Sequence, residues 1–136
     1  MIDPGTTSYV FIALFIGHII GDLITQTDHQ AANKTAPGRE GRRACLAHVI
    51  GYGLTQTAVT VALIALADVD IHPVALVVGL ALSILTHYPL DRGPVLPWIS
   101  RITRGSKFWS TPSGRLLTDQ TAHLTMITIA ALIISV

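Results

Sequence analysis

Four long apolar runs alternate with polar connections along this chain, and each run carries a histidine near one end. Each run is long enough, or nearly so, for the roughly 20 helical residues that a bilayer crossing needs. The runs predict helices over about 7–27, 44–67, 72–90 and 117–136. Punctuation fits these limits. Asp3-Pro4-Gly5-Thr6-Thr7 supplies breakers and N-cap residues, Pro73 suits a first helical turn, and Pro89 cannot donate to the helix ladder and so predicts a stop. Between the third and fourth runs, 92–115 holds Pro94, Pro97 and Pro112. Within it, Trp98, Ile99 and Ile102 are placed to face lipid and Arg101 and Arg104 water. That pattern predicts a short interfacial helix, with Phe108 and Trp109 at the headgroup level. The expected fold class is therefore all-α: an integral membrane four-helix bundle with an interfacial helix between helices three and four. The whole chain, 1–136, is read as a single transmembrane domain.

Composition sharpens this picture. Half of the 136 residues are hydrophobic and 12% are charged, against about 25% charged in soluble domains. The first residues carry Asp3 and no Lys or Arg, so the first run reads as a helix rather than a cleaved leader. Cys45 is the one cysteine, which excludes an internal disulfide. All nine Lys and Arg residues lie in two segments: Lys34, Arg39, Arg42 and Arg43, then Arg92, Arg101, Arg104, Lys107 and Arg115. The alternate connections hold Asp3, Asp68 and Asp70 and no basic residue. The positive-inside rule then predicts a multi-pass protein of the inner (plasma) membrane, with basic loops cytoplasmic and both termini external. Topology and anionic lipid account for the basic segments better than nucleic acid does. Four short helices also suggest a homo-oligomer.

That topology gathers candidate chemistry on one side. His18, Asp22 and Gln26 are spaced i, i+4, i+8 and line one helical face, and Gly21 lets another backbone or an ion come close. His87 with Asp91 and Asp119 with His123 repeat the four-residue spacing, and His48 joins from helix two. Imidazole and carboxylate groups from adjacent helical turns suit a divalent metal, zinc first and manganese or iron next. His18, Asp22, His48, His87, Asp91, Asp119 and His123 are the candidate ligands. Seven exceed what one tetrahedral ion needs, which predicts two ions, or one with carboxylate outer partners. Such a site activates water for hydrolysis, with Asp22, Asp119 and Gln26 as the catalytic candidates. Gln26 and Gln120 can orient water or bond a substrate oxygen, and Lys34, Arg39 and Arg92 can hold an anionic substrate. Each His–Asp pair alone reads equally well as a hydrogen-bonded pair at a helix end, and Pro89 threatens the shared face of His87 and Asp91. Tyr52, Thr55 and Gln56 read as interhelical polar contacts. His29 and His72 read as solvated. Two other functions compete: metal or proton transport or sensing, and a non-catalytic membrane adaptor with basic cytoplasmic loops. Against transport, 126–136 offers only Thr128 and Ser135 as polar side chains.

The helix-one motif, Asn33-Lys34, His48 and Asp119-Gln120-Thr121-Ala122-His123 resemble a family of small bacterial and phage membrane proteins of unknown function. Some of these are similar to membrane-bound metal-dependent hydrolases. His18-Ile19-Ile20-Gly21-Asp22 followed by Gln26 also resembles, more distantly, the His-x-x-Gly-Asp-x-His-Gln motif of zinc-dependent phospholipase C and P1 nuclease. That resemblance implies a helical enzyme cleaving phosphoesters or lipid headgroups. It carries over only His18 and Asp22 as ligands, because Leu23-Ile24-Thr25-Gln26 lacks the motif's histidine and no N-terminal Trp ligand is present.

Overall fold

Asp3 caps the first helix by accepting the Thr6 amide at 2.7 Å, and Pro4 occupies the first turn, where a missing N–H costs nothing. The computed structural model describes residues 3–103 and 105–136, and among these it is helical with no strand. The elements are α1 (Pro4–Ile19), continued by a π-helical turn at Ile20–Ile24, α2 (Asp28–Asn33), α3 (Gly38–Leu66), α4 (Pro73–Arg92), α5 (Val95–Ile102), α6 (Ser106–Trp109) and α7 (Pro112–Ile134). Four helical segments are long and apolar enough to cross a membrane: Pro4–Ile24, Gly38–Leu66, Pro73–Arg92 and Pro112–Ile134.

The limits differ from expectation where charge or tertiary contact outweighs hydropathy. Helix α3 starts upstream of residue 44, on Gly38 in the left-handed region (φ 78°), because Arg39, Arg42 and Arg43 form helix well although they are not apolar. Helix α7 starts at Pro112, upstream of 117, with the Thr111 hydroxyl accepting the Gly114 amide at 3.0 Å. Pro89 does not end α4. The helix continues to Arg92, and the Gly93 amide donates to the Pro89 carbonyl at 3.1 Å. Helix α2 was not expected, although Thr27 and Gln30 form a capping box that the sequence spells out. The segment from Pro4 ends at Ile24, short of 27, in a π turn that the Thr25 amide closes onto the Ile20 carbonyl at 2.9 Å.

Helix α4 packs along α7 and α1 along α3, with α1–α7 and α3–α4 contacts completing the four-helix arrangement. Val10, Leu14, Leu80, Ile127 and Ile134 form the apolar core. Gly17 and Gly21 let α1 approach α3 closely. A Cβ on either would stand 3.0 Å from Gln56 Cα or Tyr52 Cδ2 respectively. The outer faces are apolar too, with Leu54, Val77 and Leu85 exposed by 65–72%, as in helices that meet lipid. In α5, Leu96 and Ser100 are buried while Trp98, Arg101 and Ile102 share one exposed face, rather than dividing between the lipid and water faces expected. Ile99 is half-buried in a groove against Leu117 and Thr121 of α7. Arg104 lies outside the described residues, as do Met1 and Ile2.

Candidate metal centre

The C-terminal end of α1, the N-terminal turns of α3, the end of α4 and the first half of α7 meet at one end of the helix assembly. They carry His18 and Asp22, His48, His87 and Asp91, and Asp119, Gln120 and His123. All of these except Asp119 and Gln120 are buried. His87 and Asp91 share a regular face across Pro89, 3.3 Å apart, so the proline does not split the pair.

Asp22, His48, His87 and Asp91 offer four ligand atoms within 4.8 Å of one another. The two Nε2 atoms face each other at 3.1 Å. His48 Nε2 lies 3.1 Å from Asp22 Oδ1 and 3.0 Å from Asp91 Oδ2, and His87 Nε2 lies 3.5 and 3.3 Å from the same oxygens. A tetrahedral ion with bonds of about 2.0–2.1 Å has ligand–ligand edges of about 3.3 Å. Five of the six separations among these atoms, 3.0–3.5 Å, stand near such spacing, and this buried cluster could hold a metal ion. Charge points the same way. Asp22 and Asp91 bury two carboxylates, and Lys34, 3.1 Å from Asp91 and 3.9 Å from Asp22, is the one Lys or Arg paired with them among the described residues. Burying charge without a counter-charge is costly, and a divalent cation would offset the remainder.

A second group adjoins the first: Asp91, Asp119 and His123. His123 Nδ1 donates to the Asp119 carbonyl at 3.0 Å, because a carbonyl can only accept. Its Nε2 then carries the lone pair, and it faces Asp91 Oδ1 at 3.9 Å. Both atoms are buried and neither has a hydrogen-bond partner. Two orphaned acceptors facing each other call for a cation between them. Asp91 thus presents Oδ2 to one group and Oδ1 to the other.

Packing fixes the rings. Tyr52 stacks on His87 with centroids 3.8 Å apart and gives its hydroxyl to a hydrogen bond with Ser83 Oγ at 3.1 Å. Tyr52 was expected as an interhelical contact, and so was Gln56, which donates to the Leu14 carbonyl at 3.4 Å. Thr55 was too, but it bonds within its own helix, to Gly51.

The remaining sequence candidates divide. Gln120 sits between the groups: its Nε2 donates to Asp22 Oδ2 at 3.0 Å and to Asp119 Oδ2 at 3.3 Å, and its Oε1 lies 3.2 Å from His18 Nε2. His18 joins neither ligand group and is 3.8 Å from Asp22. Gln26 does not extend the His18–Asp22 face, because the helix ends first. Its amide donates to the Asp22 backbone carbonyl at 2.7 Å. Arg92 donates to the Lys34 carbonyl at 3.2 Å and lines a cleft beside Asp91. Arg39 is exposed and lines a separate groove with Arg42, Arg43 and Tyr88. Sequence reading placed Lys34 among substrate groups, whereas here it pairs with Asp91. No local signal tied these two residues together.

A model of the family described as protein of unknown function (DUF3307) matches residues 10–136. No curated protein and no solved structure matches the chain.

Proposed function

The chain belongs to the DUF3307 family, and we propose that it is a membrane-embedded, metal-dependent hydrolase acting on phosphoesters or lipid headgroups. The observation that carries this reading is the convergence of Asp22 Oδ1, His48 Nε2, His87 Nε2 and Asp91 Oδ2 from three helical segments, with five of their six separations between 3.0 and 3.5 Å. These four would hold one ion, preferentially zinc given the mixed imidazole and carboxylate set. Asp91 Oδ1, Asp119 and His123 offer the second position. Ions held by these residues would supply Lewis acidity and lower the pKa of a water at the site.

The depth of the site suits a substrate at the membrane surface. Helix α4 has 20 residues, about 30 Å at 1.5 Å per residue, which matches the hydrocarbon thickness. Asp91, next to last in that helix, would then lie at the edge of the hydrocarbon, and the basic connections beside it support a cytoplasmic side for this edge. Asp119 both borders the cluster and keeps 23% side-chain exposure. It is placed to accept the proton from an attacking water. The water oxygen bonds to phosphorus, the ester P–O bond breaks, and the proton passes to the leaving alcohol oxygen. Gln120 holds Asp119 and Asp22 in register.

Elemental analysis of the detergent-purified protein tests the reading. About two equivalents of zinc, manganese or iron are expected in the wild type, about one in His123→Ala and close to none in Asp91→Ala, the residue shared by both groups. Metal-free protein after reconstitution with all three ions would remove the hydrolase from consideration.

One observation favours transport instead. His48, Tyr52, Gln56 and Thr60 form a buried polar stripe along α3, with Gln56 Oε1 and Thr60 Oγ1 unpartnered. One turn beyond, the same face carries buried Ile64, and this apolar end favours the hydrolase. Proton or zinc flux in proteoliposomes, abolished by His123→Ala, would reverse that preference.

A further inference from the structure

Beside the two ligand groups a cleft of about 440 Å³ opens onto Asp91 and Asp119, a size suited to a small ligand or a headgroup. Its lining is of two kinds. Lys34, Arg92 and Arg115 contribute three cationic side chains, and Leu96, Pro97 and Trp109 an apolar wall. Lys34 is engaged by Asp91 at 3.1 Å. The two guanidinium groups are engaged only by carbonyl oxygens: Arg92 donates to Lys34 at 3.2 Å and Arg115 to Ser110 at 3.3 Å. Among the described residues neither is paired with a carboxylate. A guanidinium presents a planar fork of five N–H donors, and one bond to a carbonyl leaves most of that fork free for phosphate oxygens.

The apolar wall would be wasted on a free anion. The same connection turns Trp98, Ile102 and Phe108 outward, exposed by 58, 59 and 51%, as side chains do that anchor a segment at the headgroup level. Trp109, by contrast, turns into the cleft, where its ring can pack on a chain while the cations hold a headgroup. We propose that this cleft binds the phosphate monoester headgroup of a membrane amphiphile. The phosphate lies between Arg92 and Arg115, and the glycerol and first methylenes lie along Leu96, Pro97 and Trp109. The inference names the substrate class of the hydrolase proposed above and rests on that reading for the reaction, though not for the binding. Arg115 and Trp109 are its new residues. Arg39, in a separate groove, has no part in it.

Trp98→Phe leaves Trp109 as the single tryptophan, because the chain has two, and turns its emission into a report on the cleft. Detergent-solubilised, metal-loaded protein of this background is titrated with dioleoyl phosphatidic acid in mixed micelles, with dioleoyl phosphatidylcholine, and with inorganic phosphate. The expected result is a saturable change with phosphatidic acid, at least about tenfold weaker in Arg115→Ala and in Arg92→Ala, as loss of a charge-assisted bond predicts. Arg115→Lys, which keeps the charge and loses the fork, should fall between. Phosphatidylcholine should leave the emission unchanged at the same mole fraction. Affinity for phosphatidic acid that is the same in the wild type and both alanine variants overturns the site. Equal affinity for inorganic phosphate overturns the amphiphile and leaves a soluble phosphate in its place. Metal content measured on the same samples separates the two proposals. Absent metal with Arg115-dependent lipid binding defeats the hydrolase alone. Retained metal without Arg115 dependence defeats the cleft alone.

Discussion

Gln120 shows how much one neutral side chain can organise among charged ones. Its amide bonds Asp22 and Asp119 and faces His18, two residues of the first helical segment and its own neighbour on α7. Gln120→Ala leaves a buried Asp22 oxygen short of a donor, at a cost of about 1–3 kcal/mol. Gln120→Glu does more, because it sets a third carboxylate against two. Thermal unfolding in detergent should therefore rank the wild type above Ala and Ala above Glu, with the metal content of the Ala variant unchanged. A Glu variant as stable as the wild type would mean that the amide is not the donor assigned here. At this scale the sequence was legible where spacing carried the information. His18–Asp22, His87–Asp91 and Asp119–His123 are each four residues apart and each pair meets. It was illegible where contact depends on packing. Gln120 reaches Asp22 across 98 residues and Lys34 reaches Asp91 across 57, and no periodicity links such positions. Gln26 misled for a local reason: the π turn at Ile20–Ile24 ends the helix before its side chain can join the face.

Among the elements, the four apolar runs were plain and their ends were not, because Arg39, Arg42 and Arg43 extend α3 without adding hydropathy. Nor does hydropathy reveal which glycines matter. Gly79 sits where α4 meets α7, and a Cβ there would stand 2.9 Å from the Ala130 carbonyl and overlap the Ile134 side chain. Gly51, in the middle of α3, has nothing within 4 Å of the same position. Both are helix-interior glycines, so intrinsic propensity alone favours alanine at each by about 0.5–1 kcal/mol. Overpacking reverses the sign at Gly79, where Gly79→Ala should destabilise by about 1–3 kcal/mol. Gly51→Ala should be neutral or mildly stabilising. Denaturation of the two variants side by side checks the packing of α4 on α7. Equal effects would mean that the two helices do not approach as closely as described.

For the whole molecule, function depends on which side of the membrane the site faces. The ligand end of the four long helices adjoins both basic segments, and the opposite end carries Asp3, Asp68 and Asp70. Positive charge tends to be retained on the cytoplasmic side during insertion; in the proposed orientation the residues that orient the chain would also set the site beside the anionic inner leaflet. Under that proposal, orientation and substrate supply would have a common electrostatic cause. Two exposed positions test it. Asp70→Cys, in the link before α4, and Lys107→Cys, in α6, are introduced separately in a Cys45→Ala background, Cys45 being buried and the one native cysteine. A membrane-impermeant maleimide should label position 70 in intact cells, and position 107 only after permeabilisation. The opposite pattern would turn the cleft outward. Arg92 and Arg115 would then meet extracytoplasmic phosphoesters, and the search for substrate would move to the outer leaflet while the ligand geometry stayed as it is.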